Sequence, residues 1–230
     1  KPVSNTSSAE KLGKQWASHF VQSDNAQAIA ELRCLPAEKF ITGQDYYKTR
    51  VTIDDWFLND HPAAIFASGK QADVPMIIGT TKDEGNYFSN FVPKEIEMFE
   101  SGIMDFYGPV GEELLELYSR DPNQTLKVGG SRYITDAWFV QPARQLLDGM
   151  KNVSSKSFQY QYEFPSRKAP ALGSPHASEL KYVFGMLGNG ASEDERSVSK
   201  TMIGYWTQFA KTGNPNREGL TEWPAYDREQ

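Results

Sequence analysis

Val74-Pro75-Met76-Ile77-Ile78-Gly79-Thr80-Thr81-Lys82-Asp83-Glu84-Gly85 is the stretch on which the fold turns. Its first half, Val74–Gly79, is a short apolar run halted by glycine, the pattern of a strand buried on both faces in a largely parallel sheet. Its second half sets Asp83 and Glu84 directly beyond that strand, and open α/β sheets build their sites in the loops at the carboxyl ends of strands. Taken alone, either carboxylate reads first as a helix-start group facing water.

Working outward, a second strand is expected over Ser157–Phe164, where Phe158, Tyr160, Tyr162 and Phe164 alternate with polar residues. Between the strands, Glu95–Phe106, Glu112–Tyr118 and Ile134–Met150 read as helices, with Pro142 a kink or boundary in the last. Upstream, Ser7-Ser8-Ala9-Glu10 has capping-box spacing, and Leu12, Trp16 and Phe20 follow on one face, so a helix is expected from about Ala9 to Gln22. Asp24 and Gln27 repeat the pattern ahead of a short helix ending before Pro36, and His61 precedes Pro62 at a third helix start. Downstream, Ser192 and Glu195 cap a helix that sets Val198, Met202, Tyr205, Trp206 and Phe209 on one face and stops at Gly213. Helices between two buried strands give an α/β class, but two strands are too few for an independent sheet of that class, so the sheet is expected to be incomplete.

Composition narrows the function classes. With 39% hydrophobic and 23% charged residues the chain is globular rather than disordered. A net charge of −6 argues against a phosphate-tracking groove and hence against nucleic acid as a partner. No apolar run approaches the roughly 20 residues that span a bilayer. Cys34 is the only cysteine, which excludes an internal disulfide and any multi-cysteine metal site, and it is expected to be a small buried hydrophobe. Sequons at Asn5, Asn123 and Asn152 are compatible with a glycosylated, secreted or extracytoplasmic protein, with a cytoplasmic location left open.

Acid-base chemistry has three histidines to draw on. His19 lies in the first helix and His61 before Pro62, and both have a structural explanation. His176 sits in Gly173-Ser174-Pro175-His176-Ala177-Ser178-Glu179-Leu180, a loop of turn residues after the second strand. Glu84 followed by His176 matches the order Ser, Asp or Glu, His in which α/β hydrolases supply their triad. The nucleophile elbow Gly-x-Ser-x-Gly that should precede both occurs nowhere in the 230 residues.

Three segments carry a family resemblance. Gly79-Thr80-Thr81-Lys82-Asp83-Glu84-Gly85-Asn86-Tyr87-Phe88 resembles the segment bearing the triad glutamate of type-B carboxylesterases and cholinesterases, and His176-Ala177-Ser178-Glu179-Leu180-Lys181-Tyr182-Val183-Phe184-Gly185 resembles their histidine segment. Tyr205-Trp206-Thr207-Gln208-Phe209-Ala210-Lys211-Thr212-Gly213-Asn214-Pro215-Asn216, with Trp223-Pro224 beyond, is similar to their C-terminal signature. Thr135-Asp136-Ala137-Trp138-Phe139 and Leu32-Arg33-Cys34-Leu35 extend the likeness over most of the chain. Asp55 departs from it, standing where a glycine is common after Asp54.

The resemblance implies that residues 1–230 are the C-terminal part of a single α/β-hydrolase domain, a mostly parallel sheet flanked by helices with no internal domain boundary. It implies a carboxylic-ester substrate, catalytic roles for Glu84 and His176, substrate contacts from Tyr87 and Phe88, and no cofactor or metal. It also places the serine and the oxyanion loop on a complementary N-terminal portion, without which this chain is expected to be inactive. For Tyr87 and Phe88, ordinary core packing is an equal alternative. A non-catalytic adhesion or recognition module is the competing function, since fold alone does not fix activity.

Overall fold

The computed structural model describes residues 9–23, 26–41 and 51–227. The chain divides into two compact units at His61 and Pro62. In the first, α1 (Ala9–Ala17), α2 (Ala26–Cys34) and α3 (Glu38–Ile41) follow one another. The expected α1 boundary was too late, because the chain tightens after Ala17: the N–H groups of His19 and Phe20 bond to Trp16 and Ala17, three residues back. The turn rolls Phe20 onto Trp16 and Phe40, with ring centroids 4.8, 5.5 and 5.2 Å apart within the trio, so aromatic packing wins over another helical turn. The caps assigned to Ser7, Ser8 and Asp24, and the Asn5 sequon, lie outside the described residues.

Cys34 is exposed, contrary to expectation. The buried position of α2 is Ala28, and six residues on at about 100° per residue Cys34 projects about 120° away from it. The Asp55 departure has a backbone consequence. Asp55 adopts φ 58°, inside a turn where Asp54 Oδ1 accepts the N–H groups of Trp56, Phe57 and Leu58 at 3.1, 2.8 and 3.0 Å. Those donors, Leu58 first, hold the Asp54 carboxyl below its ordinary pKa.

The second unit opens with α4 (Pro62–Ala67), which starts at the expected proline. It continues as β1 (Met76–Thr81), α5 (Glu84–Tyr87), α6 (Ile96–Tyr107), α7 (Gly111–Tyr118), α8 (Leu126–Ile134), α9 (Gln141–Met150), β2 (Ser157–Tyr162), α10 (Leu180–Val183) and α11 (Glu193–Thr212). β1 and β2 pair in parallel, Met76 opposite Ser157 through Thr81 opposite Tyr162, and form the one sheet among the described residues. The α/β class and the incomplete sheet are thus as the sequence indicated.

Two details of β1 differ from expectation. The strand begins two residues later than Val74, because Pro75 has no N–H to give to a ladder. It also runs through Gly79, whose missing side chain leaves room for the Tyr160 ring on the neighbouring strand. Met76–Gly79 are half-buried rather than enclosed on both faces, since β2 is their single strand neighbour among the described residues.

The helix expected over Ile134–Met150 is the second part of a longer run from Leu126, capped by Thr125, whose hydroxyl accepts the Val128 N–H. Between α8 and α9 the run loosens into a π-helical segment over 135–140, immediately ahead of Pro142. A proline cannot donate into the preceding turn, and a wider turn accommodates it without ending the helix.

One core cluster, Phe99, Ile103, Leu115 and Tyr118, joins α6, α7 and α8. On β2, Phe158 and Tyr160 meet Phe209 and Trp206 of α11 edge to face, and Tyr162 packs with Met202 and Tyr182. The period-2 stripe of the strand therefore meets the helical stripe of α11, and α9 packs on both strands. Leu147 of α9 and Phe158 are fully buried, each contributing about 2–3 kcal/mol of transfer free energy. No helix of the described residues is long and apolar enough to cross a membrane.

Candidate active site

The parallel ladder does not end with the strands. Beyond Thr81 and Tyr162, the Lys82 N–H donates to Tyr162 O at 2.9 Å and the Asp83 N–H to Ser174 O at 3.1 Å, and Asp83 forms a parallel bridge with Pro175. The next residue on each chain is Glu84 on one side and His176 on the other. Sheet register thus makes neighbours of two residues 92 positions apart, and Glu84 Oε2 lies 2.6 Å from His176 Nδ1.

Each partner is held from behind. Glu84 is only 4% exposed, and its second oxygen accepts the Thr81 N–H at 2.8 Å. The next N–H, of Gly85, donates to Thr135 Oγ1 at 2.9 Å, which ties α5 to the first residue of the π-helical segment. On the histidine side, Asp83 Oδ2 accepts the Ser174 N–H at 2.9 Å and fills the space that a Cβ on Gly173 would need. Ala177, immediately after His176, is held at φ 62°, a strained conformation for a residue with a Cβ.

The pair has a defined polarity. A carboxylate only accepts, so Nδ1 carries the hydrogen towards Glu84, and in the neutral ring Nε2 keeps its lone pair. The imidazole side chain is 39% exposed, and Nε2 has no hydrogen-bond partner among the described residues. Phe88 and Phe139 each lie 5.1 Å from the imidazole centroid and stack on one another at 5.6 Å. Tyr87 is further away at 6.0 Å and 64% exposed, while Phe91 and Trp138 extend the same group through Phe88. Such an arrangement can draw a proton onto Nε2 beside an apolar surface.

A third carboxyl approaches the pair. Glu179 lies three residues beyond His176, and its Oε2 is buried without a hydrogen-bond partner among the described residues. Burial pushes its pKa up, the charge of Glu84 adds to the rise, and its own backbone N–H and His176 oppose it. Tyr160 is pushed up to about 12 by burial, with Glu179 and Glu84 contributing.

The two residues singled out from the sequence are therefore brought together, and neither Asp83 nor Glu84 is the water-facing helix-start carboxylate that spacing alone suggested. Tyr87 is not core, whereas Phe88 packs against both the imidazole and Phe139. His19 and His61 are exposed and lie in the other unit. Sequence reasoning did not anticipate the contacts that Asp83, Thr135 and Phe139 make around the pair, or the approach of Glu179. Adjacency to Glu84 and His176 offered a hint for Asp83 and Glu179, and Thr135 and Phe139 stood in a segment that shares the family likeness, though nothing in it pointed to Gly85 or to the imidazole.

A family model described as the carboxylesterase family matches residues 1–230. The chain belongs to that family. Among curated relatives of this carboxylesterase-family chain, liver carboxylesterase B-1 of Rattus norvegicus is 30% identical over 214 residues, covering 82% of the chain and 38% of the relative. Para-nitrobenzyl esterase of Bacillus subtilis (strain 168) is 29% identical over 189 residues, covering 77% and 37%. A solved PNB esterase structure superposes with a TM-score of 0.75 at 27% identity, covering 98% of the chain and 50% of that structure. The chain thus spans well under half the length of these curated relatives.

Proposed function

We propose that the complete protein is a serine carboxylic-ester hydrolase, and that this chain supplies its acid and its base. The observation that carries the reading is the 2.6 Å contact between His176 Nδ1 and a buried Glu84 carboxylate, with Nε2 unbonded among the described residues and beside aromatic side chains. Nε2 takes the proton of the serine as its oxygen attacks the ester carbonyl, and returns it to the leaving alcohol as the acyl-enzyme forms. Water then repeats the cycle to release the acid. Glu84 holds the tautomer and offsets the imidazolium charge at each attack, without itself taking the proton.

The nucleophile and the N–H groups that stabilise the tetrahedral oxyanion belong to a complementary N-terminal portion. Both units of the present chain are parts of one domain in that assembly. Tyr87 and Phe88, joined by Phe139, form an apolar wall for the acyl or alcohol part of the ester, which desolvates the reacting centre.

The test is reconstitution. Residues 1–230 are assayed on a short-chain aryl ester alone, then joined to or mixed with the serine-bearing portion. Turnover is expected only in the second case. Hydrolysis by the isolated chain that disappears in His176→Ala would require a nucleophile within these residues and would sink the assignment, as would a complete protein whose elbow serine is replaced.

A further inference from the structure

α11 lines a cavity of about 510 Å³ whose wall includes neither Glu84 nor His176. Arg196, Lys200 and Arg217 line it, Leu187 and Ile203 form its apolar part, and no acidic residue contributes to its wall. The three cations share one hollow although the net charge of the chain is −6. Among the described residues, no carboxylate forms an ion pair with any of them. Arg196 spends one nitrogen on backbone carbonyls, donating to Asn189 O at 3.4 Å and Ala191 O at 3.1 Å, which fixes its guanidinium at the rim.

Two local features work against helix stability and serve the same hollow. Arg196 and Lys200 are four residues apart on one helix face, a spacing at which like charges repel. Gly204, one turn further along that face, is a poor residue for a helix interior. A Cβ there would sit 3.1 Å from Arg217 Nη2, so the glycine lets the guanidinium of the following loop lie against the helix. An anion bound between the three groups converts their repulsion into charge-assisted hydrogen bonds, and guanidinium forks suit tetrahedral oxyanions.

We propose that this cavity is an anion site for a small phosphate monoester, with Arg196, Lys200 and Arg217 on the phosphoryl oxygens and Leu187 and Ile203 under its apolar group. The volume lies in the range of small-molecule sites. The proposal is independent of the esterase reading, since phosphate binding at α11 uses none of the residues assigned to ester hydrolysis.

The experiment is calorimetric titration of the full-length protein with phenyl phosphate and with inorganic phosphate, at ionic strength held constant with sodium chloride. Saturable binding is expected, with phenyl phosphate the tighter ligand and phenol silent. Lys200→Gln and Arg217→Gln should each weaken it about tenfold, the loss of one charge-assisted contact, with Tm unchanged within a few degrees. Gly204→Ala should weaken it by less than either charge removal, because the added Cβ shifts the Arg217 guanidinium by only a few tenths of an ångström. Leu187→Ser should remove the preference for the phenyl group and leave inorganic phosphate binding intact. Absence of saturable binding, or binding that survives undiminished in the Lys200→Gln, Arg217→Gln double variant, overturns the proposal. The second outcome would assign the heat to another site or to charge screening alone.

Discussion

Glu84 and Glu195 are buried glutamates in the first turns of helices, 4% and 6% exposed, and they have opposite fates. Glu195 is saturated. Its Oε2 accepts the Ser192 N–H and an Arg167 guanidinium at 2.9 Å each, and its Oε1 accepts Tyr182 OH at 3.2 Å and Lys181 Nζ at 3.4 Å. The Ser192 N–H foremost, then Arg167, Tyr182 and Lys181, hold its carboxyl down at about 2. Among the described residues, Glu84 has one backbone donor and gives its other oxygen to an imidazole whose second nitrogen has no partner. A carboxylate with four donors of its own is a staple, whereas in the proposed mechanism one that ends on a half-used imidazole passes its influence on to the reacting atom.

The sharpest way to break the comparison is to remove the imidazole and neutralise each carboxylate in the complete protein, assayed for the proposed ester hydrolysis. His176→Ala should abolish nearly all ester turnover, and Glu84→Gln should lower kcat by about 10⁴-fold, the scale recorded for the orienting carboxylate of a serine protease. In both, Tm should stay close to the parent. Near-normal kcat on an aryl ester in either variant removes that residue from the mechanism. Glu195→Gln should do the reverse, giving the largest Tm decrease of the set while the folded fraction keeps parental kcat. The folded carboxyl lies below its unfolded pKa, so its stabilisation is present above about pH 4.5 and fades as pH falls towards about 2. A Glu195→Gln variant should therefore lose its deficit in acid, and thermal melts from pH 7 to pH 2 follow that convergence.

Glu179 sharpens the comparison from a third direction, because its buried Oε2 has no donor at all among the described residues. Its folded pKa is raised, so its favourable contribution is complete below the unfolded value of about 4.5 and is lost as pH rises through the folded one. Glu179→Gln should match the parent near pH 4 and be more stable at pH 7, where the parent must hold the buried carboxyl in its charged form. Denaturant melts at the two values decide it, and a variant less stable at pH 7 would mean that the charged form is the one the fold favours.

The smallest effects concern the backbone. Ala177 and Asp55 both have positive φ, at 62° and 58°. Ala177→Gly should stabilise by up to about 1 kcal/mol and Asp55→Gly by a few tenths, since aspartate tolerates the left-handed region better than alanine. Equal gains, or a loss at Ala177, would show that the segment after His176 is not strained in the folded protein.

Much of this architecture was legible before any coordinates. The run Ile77-Ile78, the alternation over Phe158–Phe164 and the Ser192/Glu195 capping box each produced an element of the expected type, although β2 ends at Tyr162 rather than Phe164, because period and capping chemistry are local properties. Boundaries slipped where a distant contact intervened: Phe20 turned back to Trp16 and Phe40, and β1 continued through Gly79 because Tyr160 fills the gap. Cys34 was misjudged because residue type was weighed without the helix face.

By itself the sequence determined which residue types could do chemistry, Glu84 after a strand and His176 in a turn-rich loop, and its motifs pointed to the carboxylesterase family that matches residues 1–230. Only the tertiary structure decided that the two touch. That decision rests on register: the Asp83–Pro175 bridge extends a parallel ladder by one step, and backbone pairing between segments 92 residues apart leaves no periodic trace in either. The same holds for Thr135 beneath Gly85, and for Arg217 over Gly204. Convergence of side chains from separate elements depends on loop paths and packing, which no local pattern encodes.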